Sequence, residues 1–290
     1  MKSVRVLVID DSAFMRKVIT DILQSDPRIE VIGTARNGRI GLRKIKELSP
    51  DVVTLDIEMP EMDGLTALKH IMDEHPLPVV MLSNMTTDGA KQTIQAISLG
   101  AIDFVTKSSG AISPTLHEQA SELIEKVVAA SKVSLCQIDY EATKRLKRVH
   151  SSHLGRSVVA IGTSTGGPRA LQKVLEQIPG SIAAPIFIVQ HMPPRFTKSL
   201  ADRLDKIVPM TVKEADDGEI AKDGVAYIAP GGIHMNIDQS DKNLIIRLSD
   251  EPQELTHRPS VNQLFASIAS LSNIKKIAVI LTGMGKDGAK

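Results

Sequence analysis

Two hydrophobic periods alternate along the first 131 residues. Unbroken apolar runs predict strands: "VRVLVI" (Val4 to Ile9), "IEVIGTA" (Ile29 to Ala35), "DVVTLD" (Asp51 to Asp56), "PVVMLS" (Pro78 to Ser83) and "DFVT" (Asp103 to Thr106). Helical spacing fills the gaps. Phe14, Val18, Ile22 and Leu23 share a face within Ala13 to Gln24. A second helix is expected from Arg39 to Leu48, ending before Pro50. A last one runs from Thr115 to Ser131, with Leu116, Ala120, Leu123 and Val127 together. Strands that are apolar throughout are buried on both faces. Five of them separated by helices predict a parallel sheet with helices on each side.

From Lys132 to Arg156 the pattern lapses. "EATKRLKRVHSSHLGRS" is basic and serine-rich without a usable apolar period, and reads as a linker. Alternation restarts with "VVAI" (Val158 to Ile161), "PIFIVQ" (Pro185 to Gln190), "VAYIA" (Val225 to Ala229), "LIIRL" (Leu244 to Leu248) and "IAVILT" (Ile277 to Thr282). Helices are expected after Pro168, Phe196 and Val261. The expected organisation is an α/β domain at 1–131, a linker at 132–156 and a second, doubly wound α/β domain at 157–290. The sequence stops at Lys290, directly after "LTGMGKDGAK", with no helix to cover the last strand. We therefore expect part of the second domain to be missing.

Composition narrows the function classes. The 290 residues are 42% hydrophobic and 24% charged with a net charge of +1, so nothing global favours a nucleic-acid partner. Aromatics are only 2% and tryptophan is absent, which leaves no platform for stacking bases. The single cysteine, Cys136, excludes an internal disulfide. No apolar run is long enough to span a membrane, and the acidic pair Asp10 and Asp11 does not suit a signal peptide, so a cytoplasmic protein is expected.

In parallel sheets ligands bind beyond the carboxyl ends of the strands. Asp10 and Asp11 follow the first strand, Asp56 ends the third, Ser83 ends the fourth and Lys107 follows the fifth. Converging carboxylates repel one another and call for a hard cation such as Mg²⁺. Helix capping could account for Asp11 or Ser83 alone, but not for the whole set with a lysine.

The second domain opens with "VVAIGTSTGGPRAL". A dinucleotide turn needs G-x-G-x-x-G, and a P-loop needs Gly-Lys-Ser/Thr; both fail here on their defining residues. What matches is G-x-S-x-G, "GTSTG", with Ser164 at a strand-to-helix turn. A nucleophilic serine needs a base and an orienting acid. His191 in "FIVQHMPP" and Asp287 in "ILTGMGKDG" both follow strands. His234 and His257 compete as bases, and position favours His191. The chain order Ser–His–Asp differs from the Ser–Asp–His of α/β-hydrolases.

"VLVIDDS", "VVTLDIEMPEMDG", "MLSN" and "DFVTK" resemble the signature set of bacterial response-regulator receiver domains over roughly Ser3 to Ser131. The resemblance implies a flavodoxin-like five-stranded parallel fold, in which Asp56 accepts a phosphoryl group and Asp10, Asp11, Asp56 and the backbone carbonyl of Glu58 hold Mg²⁺. It further implies that Ser83 and Lys107 contact phosphoryl oxygens and that Phe104 is a switch aromatic. One departure is Ser108, where receivers usually place a proline.

"IGTSTGGP", "VQHMP", "YIAPGG", "HRPSV" and "LTGMGKDGA" resemble the catalytic domain of CheB-type protein-glutamate methylesterases of chemotaxis. This implies hydrolysis of glutamyl methyl esters on chemoreceptors, deamidation of receptor glutamines, and a triad of Ser164, His191 and Asp287 working without a cofactor. Thr165 and Met284 are candidates for the oxyanion hole, and Arg258 for gripping acidic groups beside the ester. The expected partners are chemoreceptors and a histidine kinase, with no nucleic acid, no membrane insertion and a monomeric enzyme. The unphosphorylated receiver is expected to cover the active site. The rival classes are a receiver with a non-enzymatic binding domain and, more weakly, a DNA-binding output.

Overall fold

The computed structural model of the protein describes residues 3–107, 116–133, 156–241, 243–253, 257–283 and 285–289. The predicted linker therefore lies almost wholly outside the described residues, as do Ser108 and Met284.

The first domain runs β1 (Val4–Ile9), α1 (Ala13–Gln24), β2 (Ile29–Ala35), α2 (Gly38–Leu48), β3 (Val52–Asp56), α3 (Gly64–Glu74), β4 (Val79–Asn84), α4 (Thr87–Leu99), β5 (Asp103–Lys107) and α5 (Leu116–Ala130). Each predicted element is present, with ends that agree to within a residue or so. The sheet is parallel in the order β2-β1-β3-β4-β5. Chain direction across the sheet reverses between β1 and β3, so the crevice at their carboxyl ends falls between Asp10 and Asp56. Short polar side chains start the helices. Ser12, Asn37, Asp63 and Thr86 each accept a bond from a backbone N–H of the first turn. Each such cap is worth about 1 kcal/mol.

The second domain comprises β6 (Ser157–Thr163), α6 (Gly167–Leu175), β7 (Ile186–Gln190), α7 (Phe196–Asp205), β8 (Thr211–Glu214), β9 (Val225–Ile228), β10 (His234–Ser240), β11 (Asn243–Ser249), α8 (Val261–Ala269) and β12 (Lys275–Ile280). Its main sheet is parallel, in the order β12-β6-β7-β9-β8. Here the sequence reading needs correcting. "LIIRL" is not a strand of this sheet but half of an antiparallel pair, β10 with β11. The strand at Thr211–Glu214 and the one at His234–Ser240 carry polar residues at alternate positions, and a search for unbroken apolar runs passes over them. The β10–β11 pair packs Met235, Ile237, Leu244 and Ile246 onto the sheet face that also receives Val261, Leu264 and Ile268 of α8. The last strand, β12, is an edge strand with Ile277 and Ile280 exposed.

One apolar cluster crosses from domain to domain. It joins Ala96, Ile97 and Phe104 of the first domain to Leu171, Phe196 and Leu200 of the second. At its centre the ring of Phe104 lies on that of Phe196, with centroids 4.6 Å apart and planes 9° from parallel. Among the described residues no helix is long and apolar enough to cross a membrane.

Gly64 sits directly beneath the end of β3, where its N–H bonds the Ile57 carbonyl at 2.8 Å. A Cβ at this position would collide with the backbone carbonyl of Asp56 and with Ile57, neither of which is a movable side-chain tip. Gly64→Ala should cost about 1–3 kcal/mol, read as a lowered urea midpoint, because backbone must shift to admit the methyl. An unchanged midpoint would show that the β3–α3 turn has slack that this packing denies.

Candidate catalytic and phosphoacceptor sites

Asp10 and Asp56 are buried, Asp11 is exposed, and one ligating oxygen from each lies within 4.8 Å of the others. The Asp10 carboxylate is fixed from one side by the Ser12 N–H at 2.9 Å. From the other side Lys107 reaches in, its Nζ 2.8 Å from Asp10 and 2.7 Å from Asp56. Burial pushes the Asp56 carboxyl up, to about 6, against the pull of Lys107 and with the charge on Asp10 adding to the rise. Burial opposes the charge on Lys107, but its bonds to Asp10 and Asp56 prevail and raise its pKa. Three hard carboxylate oxygens converging at this spacing fit a divalent cation such as Mg²⁺. Glu58 lies in the loop beyond Asp56, and its side chain accepts a bond from Asn84 at 3.1 Å.

Two other receiver residues face different surroundings. The Ser83 hydroxyl is fully buried and turned to α4, where it donates to the Gly89 carbonyl at 3.3 Å and accepts from Thr93 at 2.7 Å. Phe104 is held inward between Phe196 and Lys126, whose Nζ stands 5.1 Å from the ring centroid and bonds the Phe104 carbonyl at 2.7 Å.

In the second domain the adjacent strands β12, β6 and β7 deliver Asp287, Ser164 and His191 to one edge of the sheet. Ser164 follows β6 in a turn with Gly166 at φ 71° and α6 starting at Gly167. Its N–H bonds the Thr282 carbonyl at 2.8 Å, which stitches this turn to the chain beyond β12. Thr163 and Thr282 reinforce the seam: the Thr163 hydroxyl donates to the Thr282 carbonyl and the Thr282 hydroxyl to that of Thr165. The turn must stay close to its neighbours, because a Cβ on Gly283 would stand 2.7 Å from the Cβ of Ser164.

His191 Nε2 and Asp287 Oδ2 are 2.8 Å apart. The pairing puts the ring proton on Nε2 and leaves Nδ1 bare to take a proton. Among the described residues no hydrogen bond yet joins the Ser164 hydroxyl to that nitrogen, as is common before substrate tightens a site. Asp287 also accepts from the Ser260 hydroxyl at 2.9 Å, the Val261 N–H at 2.7 Å and the Asn262 N–H at 2.9 Å. Burial alone would push this carboxyl up. The bonds from His191 and from the first turn of α8 outweigh it and hold the group well below the usual carboxylate range.

The competing histidines separate cleanly. His234 is fully buried, with Nδ1 accepting from the Ser260 N–H at 3.2 Å and Nε2 facing the Pro252 carbonyl at 3.3 Å, so both nitrogens are used in packing. Burial lowers its pKa. His257 stacks on His191, the centroids 4.4 Å apart. Burial, and then the nearby His191, lower the pKa of His257. Thr165 is nearly buried in the turn after Ser164, while Arg258 is exposed with only a 3.5 Å approach to the Asp250 carbonyl. Sequence reasoning missed two supports. Gln190 donates to the carbonyls of both Ser164 and His191, at 2.9 and 3.2 Å, and Ser260 orients Asp287. Both lie inside motifs quoted above, "VQHMP" and "HRPSV", where only a neighbouring residue had been given a role.

The raised pKa of Asp56 makes a pH-dependent prediction. The folded state holds its proton above the ordinary Asp value of about 3.9, so Asp56 lowers stability as pH rises from there through about 6. Without divalent cations, Asp56→Asn should therefore stabilise the protein at pH 8 by up to about 3 kcal/mol, and the gain should vanish near pH 4. Urea midpoints at the two pH values check this. Equal midpoint shifts at both would refute it.

Comparison with known proteins converges on the same two units. Residues 6–120 match the response regulator receiver domain, and residues 159–290 match CheB methylesterase. The protein-glutamate methylesterase/protein-glutamine glutaminase of Oceanobacillus iheyensis is 55% identical over 295 residues, covering 99% of this chain and 84% of that protein. The protein of the same description from Geobacillus kaustophilus is 52% identical over 297 residues, with coverage of 99% and 84%. A crystal structure of the Thermotoga maritima CheB methylesterase catalytic domain aligns at 47% identity over 47% of this chain and 71% of that one, with a TM-score of 0.45. With both domains matched and relatives this similar along nearly its whole length, the chain belongs to the CheB family of protein-glutamate methylesterases/protein-glutamine glutaminases, a receiver joined to a methylesterase domain.

Proposed function

We propose that this protein hydrolyses glutamyl methyl esters on chemoreceptors, and deamidates receptor glutamines, under control of phosphorylation at Asp56. One observation carries the reading. Ser164, His191 and Asp287 stand at the carboxyl ends of three adjacent strands, with the acid bonded to the imidazole at 2.8 Å. A domain that only bound a partner would have no need of that arrangement.

In this mechanism His191 takes the Ser164 proton on Nδ1 as the hydroxyl oxygen attacks the ester carbonyl. Asp287 keeps the ring in the right tautomer and stabilises the imidazolium. The imidazolium returns its proton to the departing methoxide, methanol leaves, and His191 then activates water against the acyl-enzyme. With glutamine as substrate, ammonia leaves instead. Each oxyanion donor is worth about 3 kcal/mol. The Thr165 N–H, next to the nucleophile, is one candidate donor. Met284, the second candidate, falls outside the described residues. No step needs a cofactor.

Control rests on the receiver. A histidine kinase supplies the phosphoryl group, and Asp56 accepts it as an acyl phosphate. Mg²⁺, held by Asp10, Asp11, Asp56 and the Glu58 carbonyl, would neutralise charge on the phosphoryl oxygens. Lys107 and Ser83 also contact those oxygens. For Ser83 this requires turning away from Gly89, a movement that would disturb the β4–α4 segment. Phe104 is the route outward, because its ring lies on Phe196 of α7, and α7 begins five residues after His191. The receiver thus covers the approach to the active site until phosphorylation loosens it. A shift of about 3 kcal/mol would change the open population about a hundredfold. The protein acts in the cytoplasm as a monomer, and Arg258 reaches for acidic groups beside the ester.

The decisive assay is methanol release from methylated receptor membranes, with and without a phosphodonor. Ser164→Ala should lower it about 10³-fold or more while the protein stays folded. Near-normal release by that variant would remove Ser164 as nucleophile, and no release by the parent would favour the binding-module reading. Asp56→Asn should keep the unstimulated rate and lose the response to the phosphodonor. Acid-labile phosphate on this variant, at the parent's stoichiometry, would mean that another carboxylate is the acceptor.

A further inference from the structure

Two arginines of the methylesterase domain reach across to the receiver, and both end on backbone carbonyls. Arg195 Nη1 donates to the Met85 carbonyl at 2.8 Å, and Arg169 Nη1 approaches the Gly100 carbonyl at 3.4 Å. Those carbonyls flank α4, one just before its first residue and the other at its C-cap, about 20 Å apart along the helix. The Gly100 carbonyl also lies at the negative end of the helix dipole, a modest attraction for a guanidinium.

Three features point beyond docking. First, neither arginine forms an ion pair with a carboxylate among the described residues, and both are exposed. Among the described residues no carboxylate of the receiver neutralises their charge. Second, each belongs to the machinery loops. Arg169 lies five residues after Ser164, in the first turn of α6, and Arg195 lies four residues after His191, next to the first residue of α7. Arg258, also exposed, follows the His257 that stacks on His191. Third, Arg195 holds φ at 76°, a backbone conformation that would come more easily to glycine. A side chain kept at such a position argues that the guanidinium itself is used.

We propose that Arg169 and Arg195 serve two partners in turn: the α4 carbonyls of the closed receiver, and the carboxylates of an acidic peptide that carries the scissile ester. A carboxylate can meet a guanidinium through two parallel bonds between opposite charges, whereas a carbonyl offers it one neutral acceptor. The receiver holds these groups through single neutral acceptors, and an acidic substrate competes for them. The proposal rests on the esterase reading for its substrate, and names the chemistry that distinguishes one ester from another.

The test uses the full chain with a phosphodonor present and two synthetic peptides, each with one γ-methyl glutamate. One peptide is flanked by glutamates, the other by glutamines. Binding is measured on Ser164→Ala, so that the ester survives. The acidic peptide should bind about tenfold more tightly at low salt, with the preference shrinking as salt rises. Adding Arg169→Gln and Arg195→Gln should bring the two affinities together, and lysine at both positions should restore part of the difference. In the protein with Ser164 intact, the glutamine pair should also raise methanol release from the neutral peptide in the absence of phosphodonor, because the closed state is weakened. A preference that survives the glutamine pair would overturn the substrate role, and an unchanged unstimulated rate would overturn the latch. An acidic preference in binding that the glutamine pair abolishes, without methanol from either peptide or from receptor membranes, would keep the arginines as the acidic-peptide contact and remove the esterase reading.

Discussion

The Asp287 carboxylate is the tie on which one edge of the second domain's sheet depends. It accepts bonds from a side chain beyond β7, from the hydroxyl that caps α8 and from two N–H groups of that helix's first turn, while itself lying beyond β12. A buried carboxylate without such donors would be costly. With them, charge, helix dipole and imidazole satisfy one another. The seam of Thr163, Thr282 and the Ser164 N–H then fixes Ser164 to the same edge. Gln190 binds the carbonyls of Ser164 and His191 with one amide. Ser164, His191 and Asp287 come from distant parts of the chain, yet Gln190 bonds the first two and His191 bonds the third.

The acid of the receiver is treated in the opposite way. Asp56 has one cation, Lys107, shared with a second carboxylate, and burial raises its pKa to about 6. Where Asp287 is saturated with donors and chemically quiet, Asp56 is short of them. A carboxylate that its surroundings fail to stabilise is the better nucleophile and welcomes an added cation. The chain thus uses one functional group in two ways, and the number of hydrogen bonds decides which.

Much of this was legible in the sequence because parallel strands buried on both faces announce themselves as unbroken apolar runs. Every strand and helix named in the first domain by that rule is present. The rule failed at Thr211–Glu214 and His234–Ser240, where one face of the strand is polar. It also misplaced Leu244–Leu248, since an apolar run does not say which strand is its partner. The strand-end residues Asp10, Asp56, Ser164, His191 and Asp287 were readable for a topological reason: ligand chemistry in these sheets collects at one edge. Gln190 and Ser260 were not, because their work is to hydrogen-bond groups that lie remote in sequence, and residue type alone does not reveal that. The stacking of Phe104 on Phe196 was hidden for the same reason, although each ring had been noted separately.

The apolar cluster that runs from Ala96 and Phe104 into Phe196 and Leu200 has a thermodynamic consequence. Cooperativity follows contiguous packing rather than the boundaries that a linker suggests. While the domains are docked, loss of one side of the cluster exposes the other, and the two halves of the chain share a single unfolding event. Once they separate, each half keeps only its own hydrophobic interior, and the free energy that made them one folding unit becomes the energy of opening. Phosphoryl transfer to a single aspartate would then change how many cooperative units this polypeptide contains.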